Sequence, residues 1–483
     1  MLLDFTFISR KPLEYDELLT WHLSRADWRT LWICDVEPPG FYLWAKPIRF
    51  LSDSPLSLRV FEALAAGLWV VPVWATADAL GGRQLATLAT LTLTFHPLRL
   101  RCGQYGRADA VSVLFDLLSL WVLVALLRRR GAPPGLALLL FLLSTLAWFT
   151  YLPFVTSLLS RVAVLVVLVA LGRAPWGALW AVLGSVGLFV GWSMVHVVPH
   201  APGLERSFLG GLLLGVLEPP IGHMTAFFGT GLENFSAAVA IPLNLVAFLG
   251  AVSMLGRPIG AIVVGSWAGP VALLGLMCGL GIMPPQQGYL SAVLGPFAIC
   301  LGAGLLRLGR PIRSLVGVLL LLLLAGCGVL LRRPVGTVDF LSPARFILSN
   351  YRPGDIVFCQ PPGADIAMRY YLGGNLRVEP LETTFCTRAG NFAGLPARPL
   401  TKVEWEAIKE RSSKASRLWL VEWHYSPSVP LRWPRWPEER GYKAILRRGF
   451  LGQTQAVVVT LYMKGVQNVK GGGESVKKAE GGT

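Results

Sequence analysis

Residues 108–127 read ADAVSVLFDLLSLWVLVALL, and three arginines follow directly at positions 128–130. A helix of about 20 mainly apolar residues is what crosses a hydrocarbon core of about 30 Å. The apolar side chains of this run are not confined to one stripe, as they are in an amphipathic helix of a soluble protein. The stretch therefore predicts a membrane-spanning helix with positive charge at its end.

The composition extends this interpretation to most of the chain. Hydrophobic residues make up 53% of the 483 residues, charged residues only 15%, and the mean hydropathy is +0.55. A soluble domain carries about 25% charged residues. The apolar blocks predict ten spans: 56–79, 85–100, 108–127, 135–152, 154–172, 177–198, 236–255, 259–282, 289–306 and 314–331.

The net charge of +16 has two possible causes, a nucleic-acid partner or membrane topology. The sequence contains no zinc-finger spacing, no basic-aromatic RNA motif and no long basic helix, so we expect no nucleic-acid partner. Arginines instead cluster in alternate turns between the apolar blocks, as expected for loops on the cytoplasmic side. These turns hold Arg83, Arg128–Arg130, Arg173, Arg257, Arg307, Arg310 and Arg313. The opposite set carries only Arg101, Arg107 and Arg206.

With ten spans, this rule places residues 1–55 and everything after 331 on the outer side. Residues 1–55 contain several acids but no apolar block long enough to carry them across the bilayer. We expect that a transmembrane helix precedes this chain and is missing from it. Residues 1–55 are then a first outer loop with an interfacial helix, and 56–331 form the transmembrane domain.

The part of the chain after residue 331 is polar, and its apolar residues no longer form long blocks but recur with the periods of strands and helices. Alternating runs predict strands at 355–358, 416–421 and 456–461, and helical patterns lie near 342–350, 364–371 and 402–413. Strands separated by helices are typical of a small α/β domain, which we assign to 332–465. Residues 466–483 are Gly, Lys, Glu and Ser, a composition that predicts a disordered tail. The predicted fold class is a polytopic helical membrane protein with a small C-terminal α/β domain.

Three polar clusters are predicted to meet on the outer face. They are Asp16-Glu17, the acidic segment 35–37 that contains Glu37, and the segment Gln104 to Asp109 that contains Arg107. Acidic groups in such a place can take a proton from a nucleophile or hold a divalent cation, and an arginine can bind a phosphate through two hydrogen bonds. The alternative is a solvated loop with ordinary surface acids.

The order of these elements resembles that of the GT-C superfamily of membrane glycosyltransferases, in particular the family 39-like protein O-mannosyltransferases and the lipid A aminoarabinose transferases. The matching stretches are Tyr15-Asp16-Glu17, Glu37-Pro38-Pro39-Gly40-Phe41-Tyr42, Ser57-Leu58-Arg59-Val60 and Arg107-Ala108-Asp109. Near the end of the bundle, where the family has Arg-Tyr followed by a proline, this chain has Gly288-Tyr289 and Pro296. The resemblance covers residues 13 to about 130 and, loosely, 280–310.

The resemblance implies a GT-C-like bundle and the transfer of a sugar from a polyprenyl-phosphate donor to an acceptor. The reaction would take place on the periplasmic face of a bacterial inner membrane, with the C-terminal domain on that side. The acceptor stays open between protein, lipid and polysaccharide.

The resemblance also implies roles for individual residues. Asp16 and Glu17 would be catalytic. Donor or phosphate binding would fall to Arg59, Gln104, Arg107 and Tyr289. A divalent cation, Mg²⁺ or Mn²⁺, would be held by Asp16, Glu37 and Asp109.

Two other function classes remain open from the sequence. One is a transporter or flippase for a lipid-linked sugar, which predicts an inverted internal repeat and a charged cavity at mid-membrane. The other is a non-catalytic envelope assembly or sensor protein that uses its outer domain to bind a partner. The cysteines allow two disulfides in an oxidising compartment, Cys34–Cys102 and Cys359–Cys386.

Several polar residues fall inside predicted spans, where each needs a structural or functional reason. Arg59 and Glu62 lie three positions apart and can face each other as a structural pair; the alternative is a role in the groove for the lipid carrier. Asp116 is predicted to serve helix packing rather than catalysis. Arg161 is predicted either to reach the outer interface or to meet the phosphate of the lipid carrier.

Overall fold

The computed structural model describes residues 12–25, 39–52, 54–129, 131–196, 233–279, 291–330, 338–360, 364–373, 376–380, 406, 410, 412, 415–424, 436–451 and 456–465. The chain divides into two compact units. The first comprises residues 1–336 with 384–398, and the second comprises residues 337–383 with 399–483.

The regular secondary structure described in the first unit is all helical. Its helices are α1 (Tyr15–Leu23), α2 (Gly40–Leu51), α3 (Leu56–Leu68), α4 (Val70–Phe95), α5 (Pro97–Cys102), α6 (Asp109–Arg129), α7 (Pro134–Thr150), α8 (Val155–Ala170), α9 (Trp176–His196), α10 (Glu233–Met254), α11 (Pro258–Gly279), α12 (Leu294–Arg307) and α13 (Arg310–Leu330). Residues Leu152–Phe154 form a single 3₁₀ turn between α7 and α8.

Among the described residues, four helical segments are long and apolar enough to cross a membrane. They are Leu56–Phe95, Asp109–Arg129, Leu152–Ala170 and Trp176–Met194. Shorter apolar helices lie at Pro134–Thr150, Pro242–Met254, Pro258–Leu274 and Ser291–Arg307. A polytopic helical membrane fold is thereby confirmed, whereas the number of ten spans stays a prediction.

The 40-residue segment Leu56–Phe95 contains a break that the sequence places correctly between two predicted spans. Gly81 and Gly82 leave the helical conformation, and Gly82 has a φ of +74°, which favours glycine. The second predicted span was placed at 85–100, but its helix ends at Phe95. The reason is Pro97, which begins the separate helix α5.

The turns rich in arginine meet at one end of the helical unit. Arg128 donates to the carbonyl of Ala79 at 2.9 Å, and Arg257 donates to the carbonyl of Leu80 at 3.0 Å. These carbonyls lie just before the break in α4, where a helix end leaves acceptors without intrahelical partners. Arg173 likewise donates to the carbonyl of Gly256 at 2.8 Å. Four of the turns that the arginines predict to lie on one side are therefore found at the same end of the helical unit. They are the turns holding Arg83, Arg128, Arg173 and Arg257.

Close helix packing in this unit depends on glycines. A Cβ added at Gly250 of α10 would lie 1.9 Å from the carbonyl oxygen of Cys300, and one at Gly304 of α12 would lie 1.8 Å from that of Val246. Small residues that let backbones approach are typical of helix interfaces in membranes. The two helices therefore pack backbone against backbone, which no larger residue at these positions would permit.

The second unit is a small α/β domain built on a five-stranded sheet. The strands are β1 (Ile356–Gln360), β2 (Arg377–Pro380), β3 (Arg417–His424), β4 (Tyr442–Leu451) and β5 (Ala456–Lys464), arranged in the order β2-β1-β3-β5-β4. β1 is parallel to β2 and β3, whereas β5 is antiparallel to β3 and β4. Helices α14 (Leu341–Asn350), α15 (Ala364–Leu372) and α16 (Trp436–Glu439) complete the described elements.

The sequence predicted this unit in part. The three predicted strands correspond to β1, β3 and β5, and the helices near 342–350 and 364–371 correspond to α14 and α15. Strands β2 and β4 were not predicted, because one is short and the other lacks a buried face. The predicted helix 402–413 and the tail 466–483 lie almost wholly outside the described residues.

Candidate functional site

Helix α1 starts behind a reciprocal cap that sets the direction of its two acids. The backbone N–H of Glu14 donates to Oε2 of Glu17 at 2.7 Å, and the Glu14 side chain accepts from the first turn in return. Successive side chains on a helix point about 100° apart. The cap therefore sends Glu17 into the protein and leaves Asp16 facing a cleft.

Glu17 joins three separate parts of the chain. Its carboxylate accepts hydrogen bonds from Nε of Arg59 at 2.6 Å, from Nη2 of Arg59 at 2.5 Å, and from the backbone N–H of Gly106 at 2.7 Å. Glu17 is fully buried and Arg59 is 2% exposed. Because Arg59 also donates to the carbonyl of Pro12 at 2.8 Å, α1, α3 and the turn after α5 are fixed to one another.

The turn between α5 and α6, residues 103–108, has little room for adjustment. A Cβ added at Gly106 would lie 2.9 Å from Cβ of Leu58 and 3.2 Å from Oε1 of Glu17. Tyr105, which precedes Gly106 in the turn, donates a hydrogen bond from its hydroxyl to Oε1 of Glu14. These contacts hold the backbone on both sides of Arg107 in one position.

Arg107 and Asp16 form the exposed counterpart of the buried pair. Nη1 of Arg107 lies 3.0 Å from Oδ2 of Asp16, and their side chains are 25% and 35% exposed. An open cleft adjoins them. It is lined by Asp16, Leu19, Thr20, Phe41, Tyr42, Arg107, Ala108 and Tyr151. A carboxylate and a guanidinium at such a mouth can accept a proton and bind a phosphate.

Glu62 caps the helix that leads away from the cleft. Its Oε2 accepts from the backbone N–H groups of Ala110 at 2.8 Å and Val111 at 3.3 Å. A carboxylate at a helix N-terminus is favourable because the helix dipole is positive there. The predicted pair between Arg59 and Glu62 is therefore wrong, because Arg59 turns to Glu17 and Glu62 turns to α6.

The predicted cation ligands are only partly described. Asp16 is in the cleft, and Asp109 is the buried first residue of α6, with an Oδ1 that has no hydrogen-bond partner. Glu37 lies outside the described residues. Within the described ranges, no three His, Cys, Asp or Glu side chains form a group that could hold a metal ion. The predicted Mg²⁺ or Mn²⁺ site therefore stays a prediction.

The remaining predicted site residues divide into two groups. Gln104 is buried in the turn that carries Arg107, two residues after the end of α5. Tyr289 lies outside the described residues. The structure thus brings Asp16, Glu17, Arg59, Gln104 and Arg107 together around one turn. It adds contacts of Glu14, Tyr105 and Gly106, to which the sequence analysis gave no individual role.

A second buried ion pair lies inside the bundle. Nη2 of Arg161 on α8 is 2.7 Å from Oδ2 of Asp116 on α6, and both residues are at most 3% exposed. Arg161 also donates to Ser119 at 2.5 Å and to Ser266 of α11 at 3.2 Å. Neither predicted role for Arg161 is therefore correct, since its partner is an acid on a neighbouring helix.

The cysteine predictions have a limited outcome. Cys102 and Cys359 are buried free thiols. Their proposed partners, Cys34 and Cys386, lie outside the described residues.

Comparison with solved structures identifies proteins of similar fold. No protein-family sequence profile matches the chain, and no curated protein sequence matches it. Its structure is similar to that of ArnT from Cupriavidus metallidurans in the apo state, with a TM-score of 0.57, 14% identity, and coverage of 95% of this chain and 96% of that one. The form of ArnT bound to undecaprenyl phosphate matches with a TM-score of 0.57, 13% identity and the same coverage. The chain therefore shares the fold of ArnT.

Proposed function

We propose that this protein is a membrane glycosyltransferase that moves a sugar from a polyprenyl-phosphate donor to an acceptor. The reaction takes place on the periplasmic face of a bacterial inner membrane, where the C-terminal domain also lies. The fold supports this proposal, because it is shared over 95% of the chain with a protein that was crystallised with undecaprenyl phosphate.

The observation that carries the proposal is the position of Asp16. Its neighbour Glu17 is fully buried, whereas the carboxylate of Asp16 is 35% exposed at the cleft, 3.0 Å from Arg107. Asp16 lies near the start of α6, and the arginine-rich turn lies beyond its end at Arg129. A helix of 21 residues is about 30 Å long, so the cleft and the arginine-rich end are separated by about one bilayer thickness.

The cleft residues can perform the transfer in one displacement. The Asp16 carboxylate accepts the proton of the acceptor nucleophile as the nucleophile bonds to the anomeric carbon of the sugar. The bond between that carbon and the phosphate oxygen breaks, and polyprenyl phosphate leaves with the electron pair. Arg107 stabilises the negative charge on the leaving phosphate, in exchange for its ion pair with Asp16.

We assign Glu17 and Arg59 a positioning role in this reaction. Their side chains are at most 2% exposed, and they bond to each other and to the backbone of Pro12, Glu14 and Gly106. A group without access to the cleft does not touch the donor. Their contribution is to hold α1 and the turn 103–108 so that Asp16 and Arg107 stay opposite each other.

The proposal includes a divalent cation, Mg²⁺ or Mn²⁺, held by the acidic residues predicted for it. Asp16, Glu37 and Asp109 would supply the oxygen ligands that such ions prefer. The unpartnered Oδ1 of buried Asp109 supports this assignment. When bound, the ion would help to neutralise the phosphate of the donor.

The proposal is tested with purified protein, a panel of polyprenyl-phosphate sugars and assays with and without chelator. Asp16→Asn removes the proton acceptor, so we expect transfer to fall by roughly 10²–10⁴-fold while the thermal unfolding profile is unchanged. Asp78→Asn is the matched control, because Asp78 is an exposed acid on α4.

Two results would contradict the proposal. Full transfer by a folded Asp16→Asn variant would remove Asp16 from the mechanism. Movement of intact donor across a vesicle membrane, without release of polyprenyl phosphate, would show a transporter instead.

A further inference from the structure

Strand β4, at one edge of the C-terminal sheet, has an unusual surface. Every residue from Lys443 to Gly449 is exposed, on both faces of the strand. Among the described residues, β4 pairs with β5 alone, and no described strand lies along its other edge. A long strand with an open edge and exposed apolar side chains is a site of unwanted pairing unless something covers it.

The side chains of β4 combine positive charge with apolar surface. Lys443, Arg447 and Arg448 are exposed. Arg448 also lies over the rings of Phe346 and Phe450, and Arg447 interacts electrostatically with Glu422. Ile445 is 45% exposed, Leu446 is 40% exposed and Leu451 is 79% exposed. We name Lys443, Ile445, Leu446, Arg447, Arg448 and Leu451 the basic edge strand. Its composition suits a surface that is negatively charged at its boundary and apolar beneath.

The register distributes both properties along the strand. Leu446 pairs with Leu461 and Arg448 with Val459, so these two side chains project from the same face of the sheet. The pairing register shifts between Ala444 and Leu446, which adds Ile445 as an extra residue. The irregularity bends the strand locally and turns apolar side chains out beside the cations.

We propose that the basic edge strand docks the C-terminal domain on an anionic lipid surface. Lys443, Arg447 and Arg448 lie against lipid phosphates, and the leucine and isoleucine side chains enter the headgroup region. Basic residues gain stability beside anionic lipids, and exposed apolar side chains add to it. A bilayer is the surface always at hand, because the same chain carries the membrane spans of the first unit.

The test uses the full-length protein in lipid nanodiscs and measures hydrogen exchange of the β4 amides. In discs with about one third phosphatidylglycerol, the open-edge amides should exchange on the order of tenfold more slowly than in phosphatidylcholine discs. The protection should disappear at about 1 M salt, where the screening length falls to about 3 Å.

A charge-reversal pair and a matched control locate the effect. Lys443→Glu with Arg448→Glu should abolish the protection in anionic discs. Arg352→Glu with Arg377→Glu makes the same change in charge at exposed positions, the second on the strand at the opposite edge of the sheet. It should leave the protection intact. Ile445→Ser with Leu446→Ser should weaken the protection without changing its dependence on lipid charge.

Two outcomes would overturn the proposal. Equal exchange in anionic and neutral discs, unaffected by charge reversal, would show that β4 does not contact lipid. Protection that persists in detergent and rises with protein concentration would show that a second copy of this chain pairs with the open edge.

Discussion

Two buried arginine–carboxylate pairs among the described residues of the helical unit look alike in isolation and differ in their surroundings. Arg59–Glu17, the mouth pair, is bonded to the turn that carries Arg107 and lies directly behind the exposed Asp16. Arg161–Asp116, the core pair, is bonded to serines on neighbouring helices. A buried charge in a membrane bundle is therefore a weak indication of function by itself. The mouth pair differs from the core pair because it holds an exposed charged pair, Asp16 and Arg107, in place.

The strongest test of this distinction is to remove one member of the core pair. Asp116→Leu leaves Arg161 charged and unpaired among helices, which should cost about 3–5 kcal/mol of stability. The double variant Asp116→Leu with Arg161→Met should recover much of that loss, since apolar residues of similar size often replace a buried pair without penalty. Unfolding in detergent micelles measures both.

The core pair should matter for stability alone. Transfer per folded molecule should stay near that of the unmodified protein in the double variant. A double variant that regains stability but has lost transfer would mean that the core pair takes part in the reaction, and the comparison between the two pairs would fail.

The mouth pair should behave differently under the same treatment. Glu17→Gln keeps an acceptor for one backbone N–H but loses the charge opposite Arg59. We therefore expect the free energy of unfolding to fall by about 1.5–3 kcal/mol. Adding Arg59→Met should restore part of the stability, yet transfer should stay at least tenfold low because the turn 103–108 is no longer held.

The form of the kinetic defect separates positioning from direct contact. Loss of positioning should lower kcat for every donor tested, whereas loss of a direct contact to the donor phosphate should raise KM. If the Glu17→Gln variant shows a normal kcat with a raised KM, the positioning role assigned to Glu17 is wrong.

The sequence predicted the membrane class, the break in α4 and the convergence of two of the three polar clusters, Asp16-Glu17 and Gln104 to Asp109, because these depend on local composition and chain order. Twenty-residue apolar blocks, a Gly-Gly pair and alternating arginines each act within a short stretch. The partner of Arg59 could not be predicted in this way. Glu62 is close in sequence, but Glu17 lies 42 positions away and reaches Arg59 only after α1 and α3 have packed.

The same limit explains the other errors. Arg161 and Asp116 are 45 positions apart on different helices, so the sequence predicted an interface or a lipid phosphate as the partner of Arg161. Strand β4 escaped prediction because neither of its faces is buried, and the alternation that marks a strand comes from one buried face. Local pattern indicates which residues need a partner, and only tertiary packing decides which partner they find.

A smaller perturbation tests whether the placement of Arg107 beside Asp16 depends on the shape of the turn 103–108. Gly106→Ala places a Cβ 2.9 Å from Cβ of Leu58, and overpacking of this kind costs about 1–3 kcal/mol. The turn should shift and carry Arg107 away from Asp16, which lowers transfer. Gly135→Ala is the control, since nothing lies within 4 Å of an added Cβ there. Equal transfer by the two variants would show that the position of the turn is unimportant.

The smallest effect is expected at a buried carboxyl group of the C-terminal domain that has no hydrogen bond to an arginine. Glu422 on β3 is 1% exposed and neither of its side-chain oxygens has a hydrogen-bond partner. Burial raises its pKa from 4.5 to about 7, and Arg447 opposes the shift only in part. The folded domain therefore keeps a proton on Glu422 at pH values where the unfolded chain has lost it.

The sign of the pH dependence follows from this difference in bound protons. Between about pH 4.5 and 7 the folded state binds more protons than the unfolded state, so stability falls as the pH rises through that window and levels off above it. Glu422→Gln should remove this decline, while Glu438→Gln, at an exposed position, should keep it. Thermal unfolding between pH 5 and 8 measures the difference. An unchanged slope in Glu422→Gln would mean that Glu422 is ionised in the folded domain, and hence that a cation pairs with it as in the two arginine pairs of the bundle.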